Sequence, residues 1–387
     1  MTIICLRLYL PQQSAVSSQQ SAVSSQQSAV SSQQSAVSSQ QSAVSGQRSA
    51  IAVLSKLLVS IPLAITLLSV FTIFYKYNGA RIWNEDNTTD YCWSPYQLVT
   101  NMEEGFSYQI FDSHGFNNRK DYNSETPNIA NLLLGSSHME AYCVGPEENV
   151  GALLNNMLPN LRTYNLGISS HNFIYCIKNI SKAYEFYKPK NCVIMEISTV
   201  NPDLKSLSDV LEGKIQHHRA YKYGSKEMYL QKIFPSGKKI LQQISAWQEQ
   251  SLKSIRTVKL HSQVKSDDVI YATKLNDVLA FVRSRVPNDV TLLIVYHPLS
   301  KISSDGKLIL SDESKFYNKL FARTCKNNNI IFVDITDAMC ELYTNKHKLI
   351  HGFWNSAVGV GHLNKYGHEV IAKRLAEVIK NLEGSKN

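Results

Sequence analysis

Paired cysteines are missing from this chain. Its seven (Cys5, Cys92, Cys143, Cys176, Cys192, Cys325, Cys340) form no CxxC pair and no Cys/His zinc spacing. Neither a metal site nor a disulfide framework can therefore be read from them. Several lie in apolar runs, where cysteine behaves as a small hydrophobe. No nucleic-acid recognition motif accompanies the formal net charge of +9, so the basic balance does not imply that class of partner. Charge of either sign is absent from the nineteen residues Leu57–Tyr75, which lie between Arg48 and Lys56 on one side and Lys76 and Arg81 on the other. That is close to the roughly 20 residues a spanning helix needs, and Pro62 is tolerable near a helix start or within a membrane. No small-residue cleavage site follows the run, which argues against a removed signal peptide. The reading is a single anchor spanning 49–77, in contact with membrane lipid through 57–75. The usual arrangement for such an anchor puts the N-terminus in the cytoplasm and the following domain outside.

What is present begins with repetition. Residues 14–48 are five tandem heptads, four of them Ser-Ala-Val-Ser-Ser-Gln-Gln. Each offers one adjacent Ala-Val pair rather than spaced apolar positions, a very thin seam for a coiled coil. A seven-base DNA unit read in triplets yields the same heptad, so residues 1–48 are expected to be a disordered tail translated from repeat DNA. From residue 78 to 387 the chain reads as one folded domain, and 43% apolar residues suffice for a core. Residues 78–130 are polar and aromatic and form a lead-in.

After the lead-in, apolar runs and helical stripes alternate. Expected strands are 131–134, 162–168, 192–197, 290–295 and 330–335. One expected helix carries Phe173, Ile177, Ile180 and Tyr184 on one face, and the last carries Ile371, Leu375, Val378 and Leu382. Alternation of this kind implies an α/β fold, a three-layer doubly wound parallel sheet with helices on both faces. Between the third and fourth strands, about 205–265, stands an insertion with twelve Lys/Arg against four Asp/Glu. Its Tyr221, Tyr223, Tyr229, Phe234 and Trp247 suggest a basic helical cap. Such a cap is either a solvated surface or a lid toward an anionic substrate or lipid surface.

Two stretches carry chemistry. Asn131-Leu132-Leu133-Leu134 stops abruptly at Gly135-Ser136-Ser137-His138-Met139-Glu140, and ligand sites in open α/β sheets lie just past the carboxyl ends of strands. A serine there can act as a nucleophile if a base takes its proton. Gly359-Val360-Gly361-His362-Leu363-Asn364, before the last helix, offers that base in His362, histidine being the usual agent near neutral pH. His138 is expected to line the pocket, His297 to follow a strand, and His368 to face solvent.

These blocks resemble those of the SGNH (GDSL-type) hydrolases. Leu-Leu-Gly-Ser-Ser-His-Met-Glu is similar to their first block, Asn165-Leu166-Gly167 to the oxyanion block, and Val360–Asn364 with Gly367 and Ala372 to the last. Gly115-Phe116 resembles sequence that often precedes the first block, and the likeness covers about 110–382. It implies Ser137 as nucleophile, His362 as base, and an oxyanion held by the Ser137 N–H, the Gly167 N–H and an asparagine, for which Asn201 is the candidate. No cofactor and no metal are implied. Two positions depart from the pattern. Ser136 stands where the family has Asp, and Gly359 stands where the family has the aspartate that orients the histidine. A backbone carbonyl or Asp334 is then left as the partner of His362. The expected activity is hydrolysis of ester-linked acyl groups, acetyl groups on an extracytoplasmic glycan in the narrower reading. An O-acyltransferase acting on a cell-envelope polysaccharide and an inactive scaffold are the alternatives.

Overall fold

The computed structural model describes residues 4–75, 81–84, 86, 88–102, 104–125, 128–215, 266–303, 305–310, 315–356 and 359–384. The cap expected over 205–265 falls largely outside them, with only the helix Leu204–Leu211 and the residues up to 215 included.

The N-terminal unit is one helix, Ile4–Tyr75, of 72 residues. This corrects the expectation of a disordered tail. The repeat holds no proline and, before Gly46, no glycine, and Ala and Gln are strong helix formers. Its serine hydroxyls fold back onto carbonyls one turn earlier, as in Ser24 to Gln20 O at 2.8 Å and Ser31 to Ser28 O at 2.8 Å. The repeat valines Val23, Val30, Val37 and Val44 are all exposed. The helix is long and apolar enough near its end to cross a membrane; the nineteen residues 57–75 would rise about 28 Å, near the ~30 Å of a hydrocarbon core.

In the second unit, lead-in strands β1 (Arg81–Trp83) and β2 (Tyr91–Trp93) pair antiparallel, as do β3 (Leu98–Asn101) and β4 (Ser107–Ile110). The central strands follow: β5 (Asn131–Leu134), β6 (Thr163–Asn165), β7 (Cys192–Ile197) and β8 (Thr291–Tyr296). A short hairpin of β9 (Ser300–Ile302) and β10 (Leu308–Leu310) precedes the last central strand, β11 (Ile331–Asp334). The five central strands are all parallel, in the order β11-β8-β7-β5-β6. Numbered within the sheet, this is 5-4-3-1-2, the flavodoxin-like doubly wound order, and its topological switch point lies between β5 and β7.

Both faces are covered, so β5 and β7 are buried at every residue. Largely apolar strands of this kind, buried on both faces, mark a parallel sheet with helices on each side. Leu132, Leu134, Val193, Met195, Leu292 and Ile294 pack with helices Phe173–Tyr187, Ser266–Ser284 and Lys315–Asn327. Leu133, Ile194, Leu293, Val295 and Val333 pack with Val150–Met157, Thr336–Lys346 and Lys365–Gly384. Each large aliphatic side chain so buried stabilises the fold by about 1.5–3 kcal/mol.

One residue of this core bears directly on the site. A Cβ placed on Gly167 would lie 2.3 Å from the Met139 carbonyl carbon and 2.4 Å from the Glu140 nitrogen. The chain after β6 therefore runs in backbone contact with the turn that follows β5. Gly167→Ala is expected to destabilise by at least about 1–3 kcal/mol, because rigid backbone and not a flexible side chain must give way. A thermal melt beside the parent chain checks this; an unchanged Tm would contradict the contact.

Candidate active site

The turn after β5 is built by hydrogen bonds that its own sequence supplies. Ser136 is the N-cap of the short helix Ser137–Glu140, its hydroxyl accepting from the His138 N–H. The Ser136 N–H and hydroxyl both donate to Glu196 Oε2, at 2.8 and 2.9 Å. Glu140, fully buried, accepts from the Trp93 indole at 2.6 Å and from the Ser169 N–H at 3.0 Å and hydroxyl. The acid at the end of the serine block thus pins both the lead-in and the loop after Gly167. Ser137, the first residue of the helix, sits half-buried at the switch point. Its N–H has no partner among the described residues, as expected of a first-turn donor with nothing one turn earlier to accept it.

The loop before the last helix arrives on the same rim. His138 Nδ1 accepts the Leu363 N–H at 3.2 Å, and the His138 and His362 ring centroids stand 5.6 Å apart. Asn364 holds this loop, donating to Leu349 O and Gly352 O and accepting from the Tyr366 N–H at 2.9 Å to start the helix. The two stretches singled out in the sequence are therefore neighbours.

The partner of His362 is a residue that the sequence did not announce. Glu104, in the turn between β3 and β4, contacts His362 Nδ1 directly through Oε2. Asp334 does not take that place. Its carboxylate is engaged by Asn318 at 2.7 Å and by the Thr336 N–H at 2.9 Å. Burial would raise the Glu104 carboxyl, but the hydrogen bond and charge of His362, with a contact from Cys143, bring it below the ordinary value. An ionised carboxylate only accepts, so Nδ1 carries the proton and the lone pair of a neutral ring lies on Nε2. Two features bring the acid there. Asn101 donates to Glu104 O at 2.7 Å, and Asn355 brackets the turn with bonds to Met102 O, Gly105 O and the Gly105 N–H. Gly361, at φ +100°, leaves the space: a Cβ there would fall 2.3 Å from Glu104 Oε1.

The expected oxyanion donors fare differently. The Gly167 N–H is already given to Asn165 Oδ1 at 2.9 Å, which makes it a structural bond of the turn. Asn201 is exposed beyond the end of β7.

Beneath the site lies a buried polar cluster. Glu196 Oε1 meets His297 Nε2 at 2.8 Å, and His297 Nδ1 lies 3.3 Å from His351 Nε2. Burial would raise the Glu196 carboxyl, yet His297, His138 and the Ser136 N–H bring it down to about 2. Burial, then His297, holds His138 well below the usual histidine value. His351 is lowered to about 3 by burial and by His297. His368 does not face solvent as the sequence suggested; it is buried and lowered to about 3, again by burial first. The reason is its register: 368, 371, 375 and 379 form one stripe, the one facing the sheet.

No Cys/His spacing marks a metal site, yet the fold brings Glu104, Cys143 and His362 together with their ligand atoms all within 4.8 Å of one another. A cavity of about 760 Å³ opens at the N-terminal ends of β8 and β11 beside Arg283 and Lys326, and none of the site residues above line it.

No model of a known protein family matches the chain, and no curated protein does. Among solved structures it is similar to the psychrotrophic esterase EstA of a Pseudoalteromonas species, at 14% identity and a TM-score of 0.35, over 66% of this chain and 99% of that one. It is similar to a lipolytic protein of the G-D-S-L family from Veillonella parvula, at 12% and 0.34, over 64% and 96%. An acetyl xylan esterase is similar at 12% and 0.33, over 64% and 98%. At these values the likeness is similarity alone, and the site stands on its own geometry.

The buried histidines set an acid limit. A histidine held neutral in the fold gains its proton only on unfolding, so between the ordinary value near 6.5 and about 3 the unfolded state binds more protons. Stability from these groups is therefore complete above about 6.5 and lost as pH falls. Glu196 acts in the same direction between its ordinary value near 4.5 and about 2. From pH 7.5 to 5.5, His351 and His368 are each expected to cost about 1.4 kcal/mol. Denaturation of the detergent-solubilised chain at the two pH values checks this; a flat profile would contradict neutral burial.

Proposed function

We propose that the chain is an anchored serine esterase that cleaves ester-linked acyl groups through an acyl-enzyme. Ser137 is the nucleophile, His362 the base and Glu104 the acid that orients it. The observation that carries the reading is the Glu104–His362 contact on the rim where the Ser137 turn ends. Glu104 fixes the proton on Nδ1, which leaves Nε2 to take the Ser137 proton as the hydroxyl attacks the acyl carbon. The tetrahedral oxyanion is held by the Ser137 N–H. His362 then gives its proton to the leaving alcohol and activates the water that releases the acid.

The same carboxylate weakens the scaffold reading, which drew its support from the missing aspartate at Gly359. An acetylated glycan outside the cell is the substrate that an exported, anchored domain would meet, and transfer to a sugar hydroxyl differs only in the acceptor. The detergent-solubilised chain with a chromogenic acetyl ester tests the proposal. Ser137→Ala is expected to abolish both turnover and fluorophosphonate labelling. Glu104→Gln keeps the shape but loses the charge that stabilises the imidazolium, and kcat is expected to fall by about 10²–10⁴. In Gly361→Ala the added methyl meets Glu104 Oε1 and the φ of +100° is strained for alanine, so kcat and Tm are both expected to fall. Labelling that persists in Ser137→Ala would refute the assignment, and full activity in Glu104→Gln would remove the acid from it.

A further inference from the structure

We infer that Glu104, Cys143 and His362 form a binding site for a thiophilic divalent cation of the zinc class, and that its occupancy switches off the catalytic histidine. The binding half stands on geometry alone; the switching half rests on the esterase reading above. The three groups come from distant parts of the chain: the turn between β3 and β4, the segment just after helix Ser137–Glu140, and the loop before the last helix. They offer one oxygen, one sulfur and one nitrogen within 4.8 Å of each other. Cys143 Sγ lies 3.8 Å from Glu104 Oε2. Tetrahedral zinc, with bonds of about 2.3 Å to sulfur and about 2.1 Å to oxygen, spaces two such ligands about 3.6 Å apart. Cys143 is buried and in no disulfide, whereas the Glu104 and His362 side chains are each 25% exposed and leave an approach from solvent.

The donor set chooses the ion. A thiolate and an imidazole favour zinc and its neighbours over magnesium or calcium, which prefer all-oxygen cages. One thiolate and one carboxylate also neutralise a dication. Three protein ligands leave a fourth position for water. The proton balance is simple. The Cys143 thiol releases one proton to solvent, and the neutral imidazole keeps its own but moves it from Nδ1 to Nε2, because the Nδ1 lone pair is now on the metal. That tautomer cannot accept a proton from Ser137, and the metal draws Glu104 away from its role in orienting the ring. Loaded protein would therefore be catalytically silent without any change of fold.

The test uses the full chain in detergent, stripped of metal with a chelator and titrated with cobalt(II) as a spectroscopic probe. One equivalent is expected to produce a thiolate-to-cobalt charge-transfer band, displaced by zinc and absent from Cys143→Ser and Cys143→Ala. Zinc is expected to inhibit ester hydrolysis in step with occupancy, with recovery on chelation. In Cys143→Ser the ratio of metal-free to zinc-treated rates should fall at least about tenfold, whatever the metal-free rate, as loss of a ligand weakens binding. Absence of the band from the parent chain, or its persistence in both cysteine variants, overturns the site. A band without inhibition overturns the switch. No hydrolysis by the metal-free chain, with the band intact, removes the esterase reading and leaves the metal site standing.

Discussion

A carboxylate from the lead-in placed against an imidazole from the closing loop, Glu104 on His362, is the contact on which the functional arrangement depends. Alone, the turn after β5 is a half-buried serine at the carboxyl end of a strand, and the loop before the last helix is a histidine preceded by two glycines. The carboxylate gives the histidine one tautomer and one orientation. The cost is a half-buried charge, offset by the bond it makes. The support is mutual. Gly361 leaves room for the acid, Asn101 and Asn355 hold its turn, and His138 ties the Leu363 backbone to the serine block. A shift of about an ångström in any of these loops would separate the pair, which is why polar side chains bind backbone at each of them.

The second layer explains why the serine turn itself stays in place. A fully buried carboxylate is tolerable only when paired and hydrogen-bonded. Glu196 meets that condition through His297 on one side and two bonds from Ser136 on the other. Because Glu196 is in β7 and Ser136 follows β5, the bond spans the switch point and fixes the mouth of the crevice. His351, held neutral by burial, continues the chain of rings inward. Hydrophobic packing thus positions the strands, and this polar core sets the angle at which the turn leaves them.

How much of this was legible in the sequence depended on whether the signal was local. Strands at 131–134 and 192–197 were written as runs that are apolar apart from Asn131 and Glu196, and the last helix as a clear stripe, so order and layers followed directly. Ser137 and His362 stood out because glycines and an abrupt loss of hydrophobicity mark ends of elements. Glu104 carries no such mark. It lies in a polar segment, and its partner is 258 residues away. His368 was legible in principle, since its spacing from Ile371 and Leu375 is that of the buried stripe, but its polarity suggested the surface. The heptads misled in the opposite direction: a repeat without a spaced apolar seam says nothing against a helix when Ala, Gln and Ser all permit one. Gly167 stood in the expected place, yet its N–H is spent on Asn165, a detail of hydrogen-bond direction that no residue pattern encodes.

The two departures from the motif that the chain resembles have one physical explanation. Ser136 stands where an aspartate is usual, and an aspartate there would set a second carboxylate against Glu196, where the Ser136 hydroxyl now donates at 2.9 Å. Two like charges at that separation, one of them fully buried, strongly disfavour joint ionisation. Serine satisfies the same helix N-cap while donating to the acid beneath it. Gly359 stands where the aspartate that orients the histidine is usual, and that charge is delivered from outside the loop by Glu104. A carboxylate lies beside each of the two positions, Glu196 of β7 against Ser136 and Glu104 of the lead-in against His362. A motif scored position by position counts two losses here. In space a carboxylate is hydrogen-bonded at each position, Glu196 to Ser136 and Glu104 to His362, and both carboxyls are held below their ordinary value.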